Sequence, residues 1–234
     1  MLHPVAPVAS NTLAPAPAPA PPASVDSRAA PADSELAVLT ATLMQSRQTI
    51  LPKRLVAPGP DAQQLEMILS AAATAPDHGQ LRPWRLVLVP QAERGQLAEV
   101  FGAALTERDP HATPEQIAQA REKAHRAPLL LLAVVDGGKG DPDIDLSERT
   151  VSAGCAVQNM LLMATALGYG SALTSGKALK SSGLRALFGL KAGEQALCFV
   201  SIGTVQSRRS ARARPTPAER VHTLTADGGI VPGF

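Results

Sequence analysis

The chain has 234 residues and a formal net charge of +2. That length suits one domain of ordinary size with a full core, and so small a charge excludes a general nucleic-acid or membrane-surface binder. Two cysteines, Cys155 and Cys198, lie far apart in apolar runs; they read as small core residues of a reducing compartment, with no Cys/His cluster that would hold zinc or another metal.

Residues 1 to 34 include LAPAPAPAPPAS, alanine and proline in alternation. Proline removes the backbone donor and alanine offers little to bury, so this segment reads as a disordered, partly polyproline tail ahead of one folded domain, 35–234. It has neither the charged start nor the apolar run of a secretory signal, and it lacks the arginines of a transit peptide. No apolar run reaches the ~18 residues that a membrane-spanning helix needs. The expected location is the cytoplasm.

The first predicted helix runs over 34–46, with Ser34 as N-cap and Leu36, Leu39, Leu43 and Met44 on one face. LPKRLVAPGP then breaks the chain. Asp61 caps a second helix with Gln64 completing a capping box, and Leu65, Ile68, Leu69 and Ala72 form its buried stripe. Pro76 lies just beyond its end. A strand follows from Trp84 to Val89, then helices over 93–105 and from Thr113-Pro114, the latter with Gln116 in a second capping box. APLLLLAVVD (127–136) is a continuous apolar strand of the kind that lies mid-sheet, covered on both faces. Residues 146–167 form one long helix ended by Gly168, apolar nearly all round over residues 153–157, which places it in the core or at a subunit interface. A short helix (182–188) and a strand (196–202) complete the domain. Helices and strands interleave, so the fold is α/β or a layered α+β type.

Most familiar chemistries are missing. VVDGGKGDPD lacks the spacing of a phosphate loop and carries acids that would repel one. Asp141, Asp143 and Asp145 alternate like a calcium loop but lack its glycine and final glutamate, so they read as loop acids. Gly168-Tyr169-Gly170 follows a helix, whereas a dinucleotide turn follows a strand. Five arginines crowd residues 208–220 (Arg208, Arg209, Arg212, Arg214 and Arg220); they suit either a solvated tail or an anion site whose guanidinium forks match phosphate oxygens. The loop APDHGQLRPW (75–84) concentrates polar donors between a helix and a strand. A fold that only binds and orients a reactive cofactor can look like this.

SRQ (46–48), APDHGQLRPW (75–84), RAPLLLLAVV (126–135), SAGCAVQNMLLMATALGYGS (152–171), TSG (174–176) and SIGT (201–204) occur in an order and spacing that resemble the FMN-dependent nitroreductase family. The likeness is strongest to its small single-domain bacterial subgroup with an APDHxxxQPW-type loop, and it covers about residues 36 to 220. The resemblance implies an α+β layered sandwich, a mixed central sheet with helices on both faces. It implies FMN as cofactor, NADPH or NADH as electron donor, and a homodimer with FMN at the subunit interface. Ser46, Arg47 and Gln48 would meet the phosphate and ribityl chain. Thr74 and His78 would reach the FMN held mainly by the other subunit, and Leu173, Thr174, Ser175 and Gly176 would lie near the flavin. Arg212 and Arg214 would match the late basic pair on the phosphate. Met163, Ala164, Thr165, Ala166, Leu167 and Gly168 match a segment assigned to nicotinamide contact. With the chemistry carried by FMN, no side chain is assigned as the catalytic group. The chain departs from the family pattern where Ser46 and Thr174 replace arginines, Gln48 replaces a serine and Arg82 replaces a glutamine. The implied function is an NAD(P)H-dependent flavoprotein reductase acting on nitroaromatics, quinones or similar small flat acceptors. The alternatives are a flavin-binding member without turnover, or a flavin-consuming enzyme of the same fold.

Overall fold

The computed structural model describes residues 34–208, 210 and 213–234. The Ala/Pro-rich segment up to residue 33, together with Arg209 and Arg212, lies outside the described residues.

Strand β3 (Leu129–Asp136) is the axis of the fold. It pairs antiparallel with β2 (Trp84–Leu88) on one side and with the long β5 (Glu194–Val205) on the other. Every residue of β3 from Leu129 to Val135 is buried, as its unbroken apolar run requires. Strand β4 (Gly170–Thr174) also pairs antiparallel with β5, and the two-residue β1 (Leu55–Val56) pairs with the end of β5 at Thr204 and Val205. Among the described residues, the sheet is mixed only through one isolated parallel bridge, Thr49 to Ser171.

Alternation along the strands divides the core in two. Leu129, Leu131 and Ala133 of β3, with Val200 and Ile202 of β5, face helices α2 (Ala62–Ala72) and α5 (Leu146–Ala166). Leu130, Leu132 and Val134, with Phe199, face α3 (Arg94–Arg108), Ala124 beyond α4 (Pro114–Glu122), and α6 (Ser182–Leu187). Helices therefore cover both faces, as expected. The capping boxes form at Asp61/Gln64 and Thr113/Gln116. Gly168, with φ +86°, ends the last turn of α5 in a conformation that glycine adopts without strain. Cys155 and Cys198 are both half-buried free thiols, and burial pushes the Cys198 thiol up to about 11, which keeps it protonated and inert.

Two elements differ from the ordinary pattern. Helix α1 (Glu35–Ser46), capped by Ser34 as expected, buries none of its residues: Leu36 is 73% exposed and Leu39 60%. A C-terminal hairpin of β6 (His222–Leu224) and β7 (Ile230–Pro232) is likewise uncovered, with Leu224 and Ile230 near 70% exposed (72% and 70%).

Two arginines are fully buried without a carboxylate. Arg94 donates to the carbonyls of Val89, Ala124, Arg126, Ala127 and Pro128, and burial lowers its pKa. Arg149 donates to those of Asp136, Lys139, Asp141 and Ile144. The acidic loop 136–145 is thus wound around a guanidinium, while its carboxylates serve as turn acceptors: Asp136 for the Gly138 N–H and Asp141 for the Asp143 N–H.

Candidate functional site

The segment after α1 runs along the outer edge of the sheet. Thr49 bridges Ser171 of β4, and the Ile50 N–H donates to the Ser171 carbonyl at 2.9 Å. The bridge is parallel, so residues 46–48, at the helix end, lie toward the start of β4, and Leu51 and Pro52 lie toward its end at Thr174. Ser46 Oγ donates back to the Leu43 carbonyl at 2.8 Å, closing the helix. Arg47 is the C-cap residue and is half-buried.

One of the late arginines, Arg214, meets this corner. The Arg214 guanidinium donates to the Arg47 carbonyl at 2.7 Å across 167 positions of sequence. Burial, and then the charge of Arg214, lower the Arg47 pKa. Among the described residues no carboxylate is ion-paired with either guanidinium. Two like charges held together without an acid raise each other's energy until an anion arrives. The corner is therefore suited to a phosphate, and the FMN phosphate fits the donors present. Arg208 and Arg220, by contrast, are exposed and unpaired among the described residues.

Thr174, Ser175 and Gly176 follow at the end of β4. They line one wall of a cleft of about 760 Å³, whose other walls include Leu51 and Pro52, Phe101 and Leu105 of α3, and Phe199 of β5. Leu173, with its neighbour Thr174 pointing the other way across the pleat, is 44% exposed on the α5 side of the sheet.

Thr74 and His78 are held against α5. Asn159 donates to Thr74 Oγ1 at 2.9 Å, and His78 Nδ1 lies 2.7 Å from a Glu148 carboxylate oxygen. The loop between them and β2 is bent hard. Gly79, Gln80 and Arg82 all have positive φ (62°, 52° and 49°), which only the glycine adopts without cost. Asp77 stabilises the bend by accepting the Arg82 N–H at 2.8 Å, while its other oxygen is buried without a partner. Lys139 donates to the Arg82 carbonyl. Trp84 closes the loop with a 3.2 Å hydrogen bond from its indole N–H to Ser152 of α5.

In the stretch matched to nicotinamide contact, Ala164 is buried and Met163 and Leu167 pack against the core. Thr165 Oγ1 donates to the Leu161 carbonyl. Only Ala166 and Gly168 are well exposed.

The buried arginines and the Glu148 partner of His78 are absent from the sequence reading. Both arginines did leave a signal. Each stands three and four positions ahead of buried stripe residues of its own helix: Arg94 before Leu97 and Ala98, Arg149 before Ser152 and Ala153. Nothing local marks Glu148 as facing His78, 70 positions away.

A two-faced sandwich with helices on both sides of an antiparallel sheet defines a layered α+β domain. The comparisons narrow it. The model of the nitroreductase family matches residues 45–204. A Haemophilus influenzae protein named "Putative NAD(P)H nitroreductase" is 35% identical over 176 residues, covering 74% of this chain and 92% of that protein. In fold, the chain is similar to a nitroreductase-like family protein from Bacillus cereus (TM-score 0.68, 18% identity, 79% of this chain and 95% of that one). It is similar also to a Desulfovibrio desulfuricans protein described as a "putative nitroreductase in complex with FMN" (TM-score 0.56, 22% identity, 75% and 91% covered). The chain belongs to the nitroreductase family.

Proposed function

We propose that the protein is an FMN-dependent oxidoreductase that takes reducing equivalents from NADH or NADPH and passes them to a flat acceptor such as a nitroaromatic or a quinone. The observation that carries this reading is the Arg47–Arg214 corner, two guanidiniums brought together with no carboxylate paired to either among the described residues. The names of the relative from Haemophilus influenzae and of the FMN complex from Desulfovibrio desulfuricans support it.

FMN, when bound, supplies reversible two-electron transfer. The chain supplies position. Arg47 and Arg214 hold the phosphate, with Arg212 as the further basic residue from the sequence reading. Ser46 and Gln48 flank the phosphate and ribityl chain. Leu173, Thr174, Ser175 and Gly176 present exposed main chain and one apolar side chain to the flavin. Thr74 and His78, held against α5, serve the flavin of a second copy. Glu148 orients the His78 ring, leaving its Nε2 to face the ligand. At residues 163–168 the side chains of Met163, Ala164 and Leu167 serve the core, so nicotinamide contact there falls to the exposed end, Ala166 to Gly168. The assembly is a homodimer, because α1, Val151 of α5 (65% exposed) and the C-terminal hairpin leave apolar surface that one copy does not cover.

The test is a titration of FMN and riboflavin against wild type and Arg214→Ala. FMN affinity falls by about ten- to a hundredfold, while riboflavin, which has no phosphate, binds as before. Arg214→Lys restores part of the loss, because it keeps the charge and loses the fork. Equal loss for both ligands, or for neither, removes the phosphate corner from the reading. Bleaching of the yellow holoprotein by NADH or NADPH separates a reductase from a passive flavin binder.

A further inference from the structure

We propose that His78 and Glu148 are a proton-delivery pair: Glu148 holds the imidazole by Nδ1, and Nε2 gives a proton to the acceptor as the acceptor is reduced. This rests on the proposed function, in which His78 reaches the flavin of a second copy, and adds to it a side chain that takes part in the chemistry. One contact is the starting point. His78 Nδ1 lies 2.7 Å from a Glu148 carboxylate oxygen, and both side chains are well exposed (66% and 51%). An ionised carboxylate only accepts, so Nδ1 carries the proton of that bond and Nε2 is the nitrogen left for a ligand. Among the described residues Nδ1 is the one ring nitrogen of His78 that is hydrogen-bonded.

An ion pair so exposed contributes little to stability. The backbone that delivers His78 to it is costly. His78 opens the turn His78–Gln80, in which Gln80 has φ 52°, and Arg82 follows at 49°; both carry a Cβ into the left-handed region. Asp77, beside His78, keeps one oxygen buried without a partner. Strain of this kind persists only where the surroundings impose it, and it collects at functional sites. Here the surroundings impose it from several sides. Asp77 accepts the Arg82 N–H, Lys139 donates to the Arg82 carbonyl, and Asn159 donates to Thr74 Oγ1. Glu148 and Asn159 stand about three turns apart on α5, hence on one flank of it, and they fasten the loop at His78 and at Thr74. Glu148 lies in the first turn of α5, the end of a helix at which a carboxylate is favoured.

A histidine gives and takes protons near neutral pH. A quinone that gains two electrons takes one hydrogen as a hydride, which the bound cofactor supplies, and negative charge develops on its other oxygen. The Nε2–H bond of His78 breaks and its proton passes to that oxygen, which completes the hydroquinone. The ring is left neutral, with Nδ1–H still bonded to Glu148, and Nε2 takes a new proton from solvent before the next turnover. Glu148 acts through His78. It is a positioning residue that fixes which nitrogen faces outward, as the third group of a triad does.

The experiment reduces the full-length, FMN-loaded protein with dithionite and follows the return of the yellow colour, once with duroquinone and once with ferricyanide. Ferricyanide takes electrons and no proton, so the ratio of the two rates isolates proton delivery and cancels any loss of flavin. His78→Gln lowers the ratio of quinone to ferricyanide rate about a hundredfold. Imidazole added to His78→Gly restores part of it. Glu148→Leu lowers the ratio about tenfold or more, while Glu148→Gln, whose amide oxygen still accepts from Nδ1, keeps most of it. A second readout needs no flavin: nitrogen NMR of the His78 ring in the flavin-free protein places the proton on Nδ1, and in Glu148→Leu spreads it over both nitrogens. A ratio unchanged in His78→Gln or in Glu148→Leu, or a ring spectrum indifferent to Glu148→Leu, overturns the inference. Bound flavin that neither NADH nor NADPH bleaches sinks the proposed function while the ratio still decides the proton donor, and a protein that takes up no FMN removes both.

Discussion

At the scale of single residues, the fold depends on charged groups placed where the sequence gives little warning. Arg85 and Glu194 join β2 to the start of β5 by a double hydrogen bond of 2.7 and 3.0 Å, and Glu194 is 5% exposed. The bond from Arg85 holds the Glu194 carboxyl at about 2. A free glutamate titrates near ~4.3, so the folded state prefers the ionised form. Its contribution is complete above pH ~4.3 and is lost as the pH falls from there toward 2. Glu194→Gln is expected to destabilise the protein by about 2 kcal/mol near neutrality. The difference in melting temperature between the two proteins then narrows as the pH falls from 6 to 3. A constant difference across that range would assign the effect to packing. Arg149 makes a second case. It satisfies four carbonyls of one loop, and an ammonium cannot present the same planar set of donors. Arg149→Lys is expected to lower stability by about 2–3 kcal/mol, with faster amide exchange confined first to residues 136–145.

At the scale of elements, the legible parts were those whose signals are local. The capped helices and the unbroken apolar strand β3 follow from spacing and composition alone. Strand β4 was not legible: Gly170-Ser171-Ala172-Leu173-Thr174 is short, small and weakly patterned, and it is a strand because β5 pairs with it along its whole length. The Gly170–Gly203 pair in that ladder is a matter of space. A Cβ on Gly203 would lie 2.5 Å from Pro128 Cδ, and one on Gly170 would lie 2.5 Å from Val205 Cγ2. Gly203→Ala is expected to cost roughly 1–3 kcal/mol by forcing β5 away from the Pro128 turn, measurable by denaturant titration. The proposed phosphate corner was invisible to local reading for a related reason. Its two arginines are brought together by the path of the sheet edge, and only the ordered set of motifs pointed there. The Asp-rich loop was read correctly as a loop, but its organiser, Arg149, sits on the next helix.

At the scale of the whole molecule, the question is what covers the surface that one chain leaves apolar. α1 exposes Leu36, Val38, Leu39 and Met44, and the hairpin exposes Leu224 and Ile230. A second copy of the chain is the proposed cover, and the expected outcome is a dimer in sedimentation at micromolar concentration. Leu39→Glu with Met44→Glu is expected to shift the equilibrium to monomer, because each places a charge in a surface that association desolvates. A dimer unaffected by both changes would place the interface elsewhere.

The exposure of α1 carries a kinetic meaning as well. Twelve residues are too few to hold a helix in water by themselves, so α1, which buries none of its residues, frays from its start. Its last turn ends at Arg47, the residue that Arg214 grips. In the proposed dimer, association and the proposed hold on the phosphate are then two ends of one lever. On that proposal, dilution that separates the subunits is expected to loosen α1, and with it the hold on the cofactor. By mass action, added FMN is then expected to tighten the proposed dimer to the same degree. Such a protein loses its yellow colour on dilution along a curve set by its own concentration, and regains it when more apoprotein is added without any more flavin.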